Sequence, residues 1–129
     1  MSAAREIRFV LATDDYDSAA HLYREVFGLE VVMDLEGQGG RGVILRLPEA
    51  TLELVDAGHR TWVDVLEVGR PVDEAVRIAV RVDDLIGAAR AVALSGATPM
   101  ADVVATPWGD RNQRFRASDG MQLTLFQAP

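Results

Sequence analysis

Two arginines open two similar phrases of this chain: "RFVLATDDYDSAA" begins at Arg8 and "RIAVRVDDLIGAA" at Arg77, 69 residues later. A guanidinium stays protonated and presents its donors in a planar fork. In a recess it can grip a carboxylate, phosphate or enolate oxygen through two hydrogen bonds at once. Other reactive side chains are few. Cysteine is absent, which removes disulfides, thiolate metal sites and a thiol nucleophile. All 13 basic residues are arginines, and without lysine no side-chain Schiff base can form. Neither His21 nor His59 has an evident acid–base partner; the first falls on a polar helix face and the second in a loop. Trp108, in "TPWGDR", offers a ring to a planar or cationic ligand. Trp62 reads as a core or contact aromatic. Asp14, Asp15 and Asp17 are explained by helix capping rather than calcium binding.

The elements that must position these groups repeat with the same offset. Asp14 and Asp15 match Asp83 and Asp84, and Ala19 and Ala20 match Ala88 and Ala89. Toward the end of each copy the offset becomes 71, so that "VILRLPEATLELV" (43–55) lies over "RFRASDGMQLTLF" (114–126). Two copies are too few for a solenoid; they imply a duplicated module whose halves bury each other's apolar faces. In the first copy "IRFVLAT" reads as a strand. Asp15 or Asp17 then caps a helix with Ala19, Leu22, Tyr23, Val26 and Phe27 at helical spacing, and Gly28 stops it. "LEVVMDL" is a strand and "EGQGGRG" a turn. "VILRL" and "TLELV" read as a hairpin around Pro48-Glu49-Ala50. The second copy has the strand "VRIAVRV", Asp83 or Asp84 as cap, a helix carrying Leu85, Ala88, Ala89 and Val92, and Gly96 as stop. A short strand within "TPMADVVATP" follows, then a hairpin of "RNQRFRA" and "MQLTLFQ" around Ser118-Asp119-Gly120. The order is β-α-β-β-β, twice, over about 5–56 and 74–127. The segment between, about Asp56 to Asp73, is the connection, and its "HRTWVDVLE" is compatible with either helix or strand.

With 129 residues, 49% of them apolar, the chain can build one core, and residues 1–129 read as a single domain. No apolar run reaches the ~20 residues of a membrane span. The N-terminus lacks a basic segment followed by an apolar one, so a cytoplasmic protein is expected. The all-arginine basic set points to a GC-rich bacterial source. A net charge of −7 disfavours nucleic acid as a partner and favours a cationic or neutral small molecule.

In "DYDSAAHLYREVFGLEVV", "VDDLIGAARAVALSGA", "TPWGDRNQRFRASDG" and "LTLF" the chain resembles the vicinal oxygen chelate superfamily, which includes glyoxalase I, extradiol dioxygenases and bleomycin-resistance proteins. The resemblance covers nearly the whole length. It implies an α+β fold in which two βαβββ modules form a cupped mixed sheet with helices on the outer face, commonly as a homodimer. Metal-using members hold a divalent ion on the cup floor with ligands from the first and fourth strand of each module. Carried over, those positions read Arg8, Glu53, Arg77 and Thr124. Arginine has no spare lone pair and threonine is a poor replacement for a carboxylate, so no metal and no cofactor are expected.

Strand alternation then sorts the side chains. With Arg8 and Arg77 facing the cup, Ile7, Phe9, Leu11, Ile78, Val80 and Val82 face the helices. Glu53, Gln122, Thr124 and Phe126 point forward, while Leu52, Leu54, Leu123 and Leu125 point back. Arg114 and Arg116 share one face and Phe115 takes the other. The concave side is expected to collect Arg8, Arg77, Arg81, Arg114, Arg116 and Glu53. Either Arg8 or Arg77 pairs with Glu53, or one arginine stays free for an anionic group of a ligand. The candidate ligand-binding residues are Arg8, Glu53, Arg77, Trp108, Arg114 and Thr124. The resemblance implies a metal-free small-molecule-binding protein, sequestering an antibiotic or aromatic metabolite. The alternatives are a metal-independent lyase or isomerase using arginine and Glu53, and an interaction module without a site.

Overall fold

The computed structural model describes residues 5–6, 8–37, 39–72 and 74–129. Ile7, Gln38 and Asp73 of the expectations above, with the first four residues, lie outside them. The elements are α1 (Tyr16–Ala20), which continues as a π-helical stretch (His21–Val26), β1 (Val31–Asp34), β2 (Val43–Leu45), α2 (Ala57–Val68), β3 (Ile78–Arg81), α3 (Leu85–Leu94), β4 (Thr98–Pro99), β5 (Val104–Ala105), β6 (Arg111–Arg116) and β7 (Gln122–Gln127). The fold is α+β. One five-stranded mixed sheet runs β3-β7-β6-β4 with β5 also on β6, and β1 and β2 make a small antiparallel pair.

The second copy forms the anticipated module, except that the single short strand expected within 98–107 is two, β4 and β5, both paired with β6. Asp84 caps α3 by accepting the backbone N–H of Gly87, and Gly96, at φ +94°, ends the helical segment. In this left-handed conformation a Cβ would be strained, which is why the stop is glycine. The hairpin β6–β7 pairs Arg114 with Thr124 and Phe115 with Leu123, while β3 runs parallel to β7 with Ala79 opposite Thr124. Alternation then does what the pattern dictates. Phe115, Leu123 and Leu125 join Leu22, Leu85 and Val92 in the core, so α3 and the first helical segment lie on that face. Fully burying side chains of this kind stabilises by about 1.5–3 kcal/mol each.

The first copy is less complete. Asp15 caps α1 by accepting from the Ser18 N–H, so of the two candidate caps Asp15 is the one used. Asp17 instead pairs with Arg41 at 2.8 Å, and the Arg41 guanidinium lies 4.4 Å from the Tyr16 ring centre, tying the glycine-rich turn to the helix. The expected hairpin of "VILRL" with "TLELV" is not formed. Val43–Leu45 pairs with β1 instead, through Val31 opposite Leu45. Residues 8–13 and 51–55 belong to no sheet ladder. Phe9, Val10, Leu52 and Leu54 are exposed on them, and among the described residues no strand pairs with the outer edge of β3. A strand exists only if a neighbour satisfies its backbone; alternation alone does not supply one.

Tyr23 packs against the core with its ring centre 5.9 Å from that of Phe27. Its hydroxyl is buried without a hydrogen-bond partner. Burial first, and the charge of Asp119 second, push its pKa up from 10.0 to about 12. In the unfolded chain the phenol ionises near its ordinary value, so stability present in full below pH 10 is lost as pH rises toward about 12. Tyr23→Phe is therefore expected to raise stability at neutral pH by roughly 1 kcal/mol, by removing an orphaned buried hydroxyl. It should also flatten the alkaline loss of stability. Urea unfolding at neutral pH and again through this alkaline window checks both.

Candidate functional site

The face of the sheet opposite the core carries the side chains that alternate with Phe115, Leu123 and Leu125. They are Asn112, Arg114, Gln122 and Thr124, all buried. What buries them is α2. The connecting segment is a helix, capped by Asp56 accepting the His59 N–H and closed by Gly69 at φ +77°. While α1 and α3 lie on one face, α2 lies on the other, with Val63, Asp64 and Glu67 turned inward.

Arg114 is fully buried there between two acids. Its Nη1 donates to Asp64 Oδ1 and, at 3.2 Å, to Gln122 Oε1. Its Nε and Nη2 donate to Glu67 Oε1 at 3.3 and 3.2 Å. Glu67 also accepts from Asn112 Nδ2 at 3.3 Å and from Thr124 Oγ1 at 3.4 Å, while Arg77 Nη1 donates to Thr124 Oγ1 at 3.0 Å. Asp64 Oδ2 additionally holds the backbone N–H of Val72, which pins the chain leaving α2. Buried charges require this degree of pairing, because an unmatched one in the interior costs several kcal/mol.

Beside this network lies a cavity of about 690 Å³. Its floor is Asn112, Thr124 and Glu67, with Ala79 and Phe126 from the sheet and Arg77 just ahead of β3. One wall is α2 through His59, Trp62 and Val63; another is the segment from Glu53 to Asp56; the third is Trp108 and Asp110. The two indoles face each other with ring centres 6.1 Å apart and planes at 45°, and His59 lies 5.7 Å from Trp62. Trp108 is held by a tight turn in which Gly109 N–H donates to the Thr106 carbonyl and Gly109 sits at φ +101°. Its Nε1 donates to Asp110 Oδ2 at 3.1 Å. Both indoles remain about half exposed, at 48% for Trp62 and 46% for Trp108.

Of the six candidate residues, Glu53, Arg77, Trp108 and Thr124 border the cavity. Arg8 does not: it is exposed and pairs with Glu6 at 2.6 Å, because its segment is not drawn into the sheet. Arg114 lies behind the floor, sealed by Asp64 and Glu67, and presents no donor to a ligand. Arg81 is exposed away from the cavity, and Arg116 turns to Glu74 at 2.7 Å. The anticipated partnership of Glu53 with Arg8 or Arg77 is not formed: Arg8 pairs with Glu6 and Arg77 donates to Thr124, while the acids of α2 take Arg114. The cup therefore does not gather free guanidiniums. Sequence reasoning missed Trp62, His59, Asp64 and Glu67. The signal was present in the frame Asp56…Gly69, a helix cap and stop that places His59, Trp62, Val63 and Glu67 on neighbouring turns of one face.

The residues at the resembling family's metal positions do not fit a divalent ion. Arg77 and Thr124 bond each other, Arg8 is elsewhere, and Glu53 alone offers an anionic oxygen. Among the described residues no three His, Cys, Asp or Glu side chains are gathered as an ion would require. Likewise no helix among them is long and apolar enough to cross a membrane.

A family model described as a glyoxalase-like domain matches residues 8–126. Among solved structures, a member of the glyoxalase/bleomycin resistance protein/dioxygenase superfamily from Sphaerobacter thermophilus is 26% identical; the match covers 94% of this chain and 98% of that one, with a TM-score of 0.55. TnmS3, an antibiotic binding protein from Streptomyces sp. CB03234, is 23% identical over 100% of both chains, with a TM-score of 0.61. A lactoylglutathione lyase from Agrobacterium tumefaciens is 22% identical over 97% and 95%, with a TM-score of 0.56. At such identities the last two establish likeness of fold alone. No protein of curated function matches the chain by sequence.

Proposed function

The chain belongs to the glyoxalase-like domain family, and from that premise we propose that it is a metal-free binding protein that holds a planar aromatic molecule against Trp62 and Trp108. The observation that carries the reading is this half-exposed indole pair on the wall of a cavity large enough for a drug-sized ligand. Indoles at the mouth of an otherwise polar recess gain by stacking on a flat ring system, and they are already ordered, so little side-chain entropy is lost on binding. The likeness of fold to an antibiotic binding protein supports sequestration as the role. Sequestration also asks nothing of the network beneath the floor, where Arg114 is already paired with Asp64 and Glu67.

Quenching of tryptophan fluorescence by a panel of planar aromatic compounds tests the reading, with saturation at one ligand per chain expected. Glu53→Gln separates binding from catalysis. Glu53 is exposed at the rim and has no ion-pair partner among the described residues. Affinity for a neutral ring system is therefore expected to change less than about threefold. A lyase or isomerase using this carboxylate as acid or base would instead show turnover that collapses by at least about a hundredfold in the variant. Such turnover in the parent protein would replace the binding reading.

A further inference from the structure

Resting on the binding reading, we infer that the cavity selects a planar aromatic cation, a ring system bearing a protonated nitrogen, over neutral and anionic rings of the same shape. Three independent features point the same way. The first is charge. The lining residues carry four carboxylates, Glu53, Asp56, Glu67 and Asp110, against the single guanidinium of Arg77, with His59 counted as neutral. Adding Asp64 and Arg114 from behind the floor leaves the excess of three negative charges unchanged. A cleft lined mainly by one sign of charge focuses such a field on whatever enters it.

The second feature is the aromatic wall. An indole face carries negative quadrupole density and attracts a cation, and two indoles with planes at 45° form an open wedge rather than a closed stack. Asp110 stands at the edge of that wedge with its carboxylate already anchored by the Trp108 N–H. A cation over Trp108 therefore meets the ring and the carboxylate together.

The third is an orphaned acceptor. Asn112 is 6% exposed and borders the cavity, and its Nδ2 is committed to the Glu67 carboxylate. Only the amide nitrogen can donate to a carboxylate, so the side chain cannot flip, and Oδ1 is left buried without a partner. A buried acceptor of this kind costs stability until a donor reaches it. A protonated nitrogen is such a donor, as is a neutral ring N–H; an anionic ring with acceptors alone is not. The guanidinium on which an anion would depend, Arg77, spends an N–H on Thr124 and is outnumbered.

The test compares 9-aminoacridinium, acridone and acridine-9-carboxylate, three flat tricycles that differ in charge, by titration calorimetry at low and high salt. The cation is expected to bind at one site per chain, about tenfold or more tighter than acridone, with the carboxylate weakest. The gap should narrow as salt rises. In Asp110→Asn with Glu53→Gln the ratio of cation to acridone affinity should fall at least about threefold, with asparagine still accepting the Trp108 N–H. An unchanged thermal midpoint shows that this variant is folded. Acridone or the carboxylate binding as tightly as the cation overturns the charge selection and leaves aromatic binding standing. Absence of heat with all three overturns both. Several weak cation sites per chain, unmoved by Trp108→Ala, overturn the assignment to this cavity.

Discussion

Replacing Arg114 with methionine is expected to lower stability by about 3–5 kcal/mol, and the melting temperature by roughly 10–20 °C. The size follows from what is left behind. Asp64 and Glu67 are 4% and 1% exposed at their side chains, and Arg114 is the only cation to which either is paired among the described residues. Methionine fills the volume but leaves two carboxylates in a water-poor interior. One is still held only by the Val72 N–H, the other by Asn112 and Thr124. Adding Asp64→Asn and Glu67→Gln to the same chain removes the uncompensated charge while keeping shape, and should recover at least about 1–2 kcal/mol. Recovery by neutralisation, read from urea midpoints, is the signature of a charge effect; a cavity effect would not respond. A single Arg114→Met variant within about 1 kcal/mol of the parent would mean that the ion pairs are not closed to water as described.

The second large effect concerns binding and should barely touch stability. Trp108→Ala is expected to weaken a planar aromatic ligand roughly 10- to 100-fold, which corresponds to about 1.4–2.7 kcal/mol. The indole is half exposed and sits on a turn outside the core, so the cost to folding should stay below about 1 kcal/mol. Trp108→Phe should restore part of the affinity, because it keeps a ring but loses area and the Nε1 bond to Asp110. Direct titration of the three proteins, beside their unfolding midpoints, distinguishes a lost contact from a lost fold. Equal affinity in all three would remove Trp108 from the site and, with it, the main support for aromatic binding.

Much of the second copy is legible in the sequence. A cap at Asp83 or Asp84, Gly96 as stop, and the inward Phe115, Leu123 and Leu125 are consequences of spacing within a dozen residues; the structure takes Asp84. The first copy shows the limit of the same argument. "RFVLAT" and "TLELV" alternate as strands do, yet neither joins a ladder in this chain, since pairing depends on which edge lies beside them. The helix α2 was ambiguous because its buried face carries two acids. A pattern that scores Asp64 and Glu67 as surface residues cannot know that Arg114 waits 47 to 50 positions downstream.

By itself the sequence determined the duplicated grammar, the family resemblance, the absence of thiol and lysine chemistry, and the unsuitability of arginine and threonine as metal ligands. Only the tertiary structure decided which charges meet. It withdrew Arg8 to solvent, sealed Arg114 under the acids of α2, and brought Trp62 beside Trp108 from 46 residues away. The reason is physical. Caps, stops and alternation are set by near neighbours and elementary backbone geometry. The sign of a cavity is a sum over side chains distant in sequence, and each partner removed from that sum by burial changes what the cavity will accept.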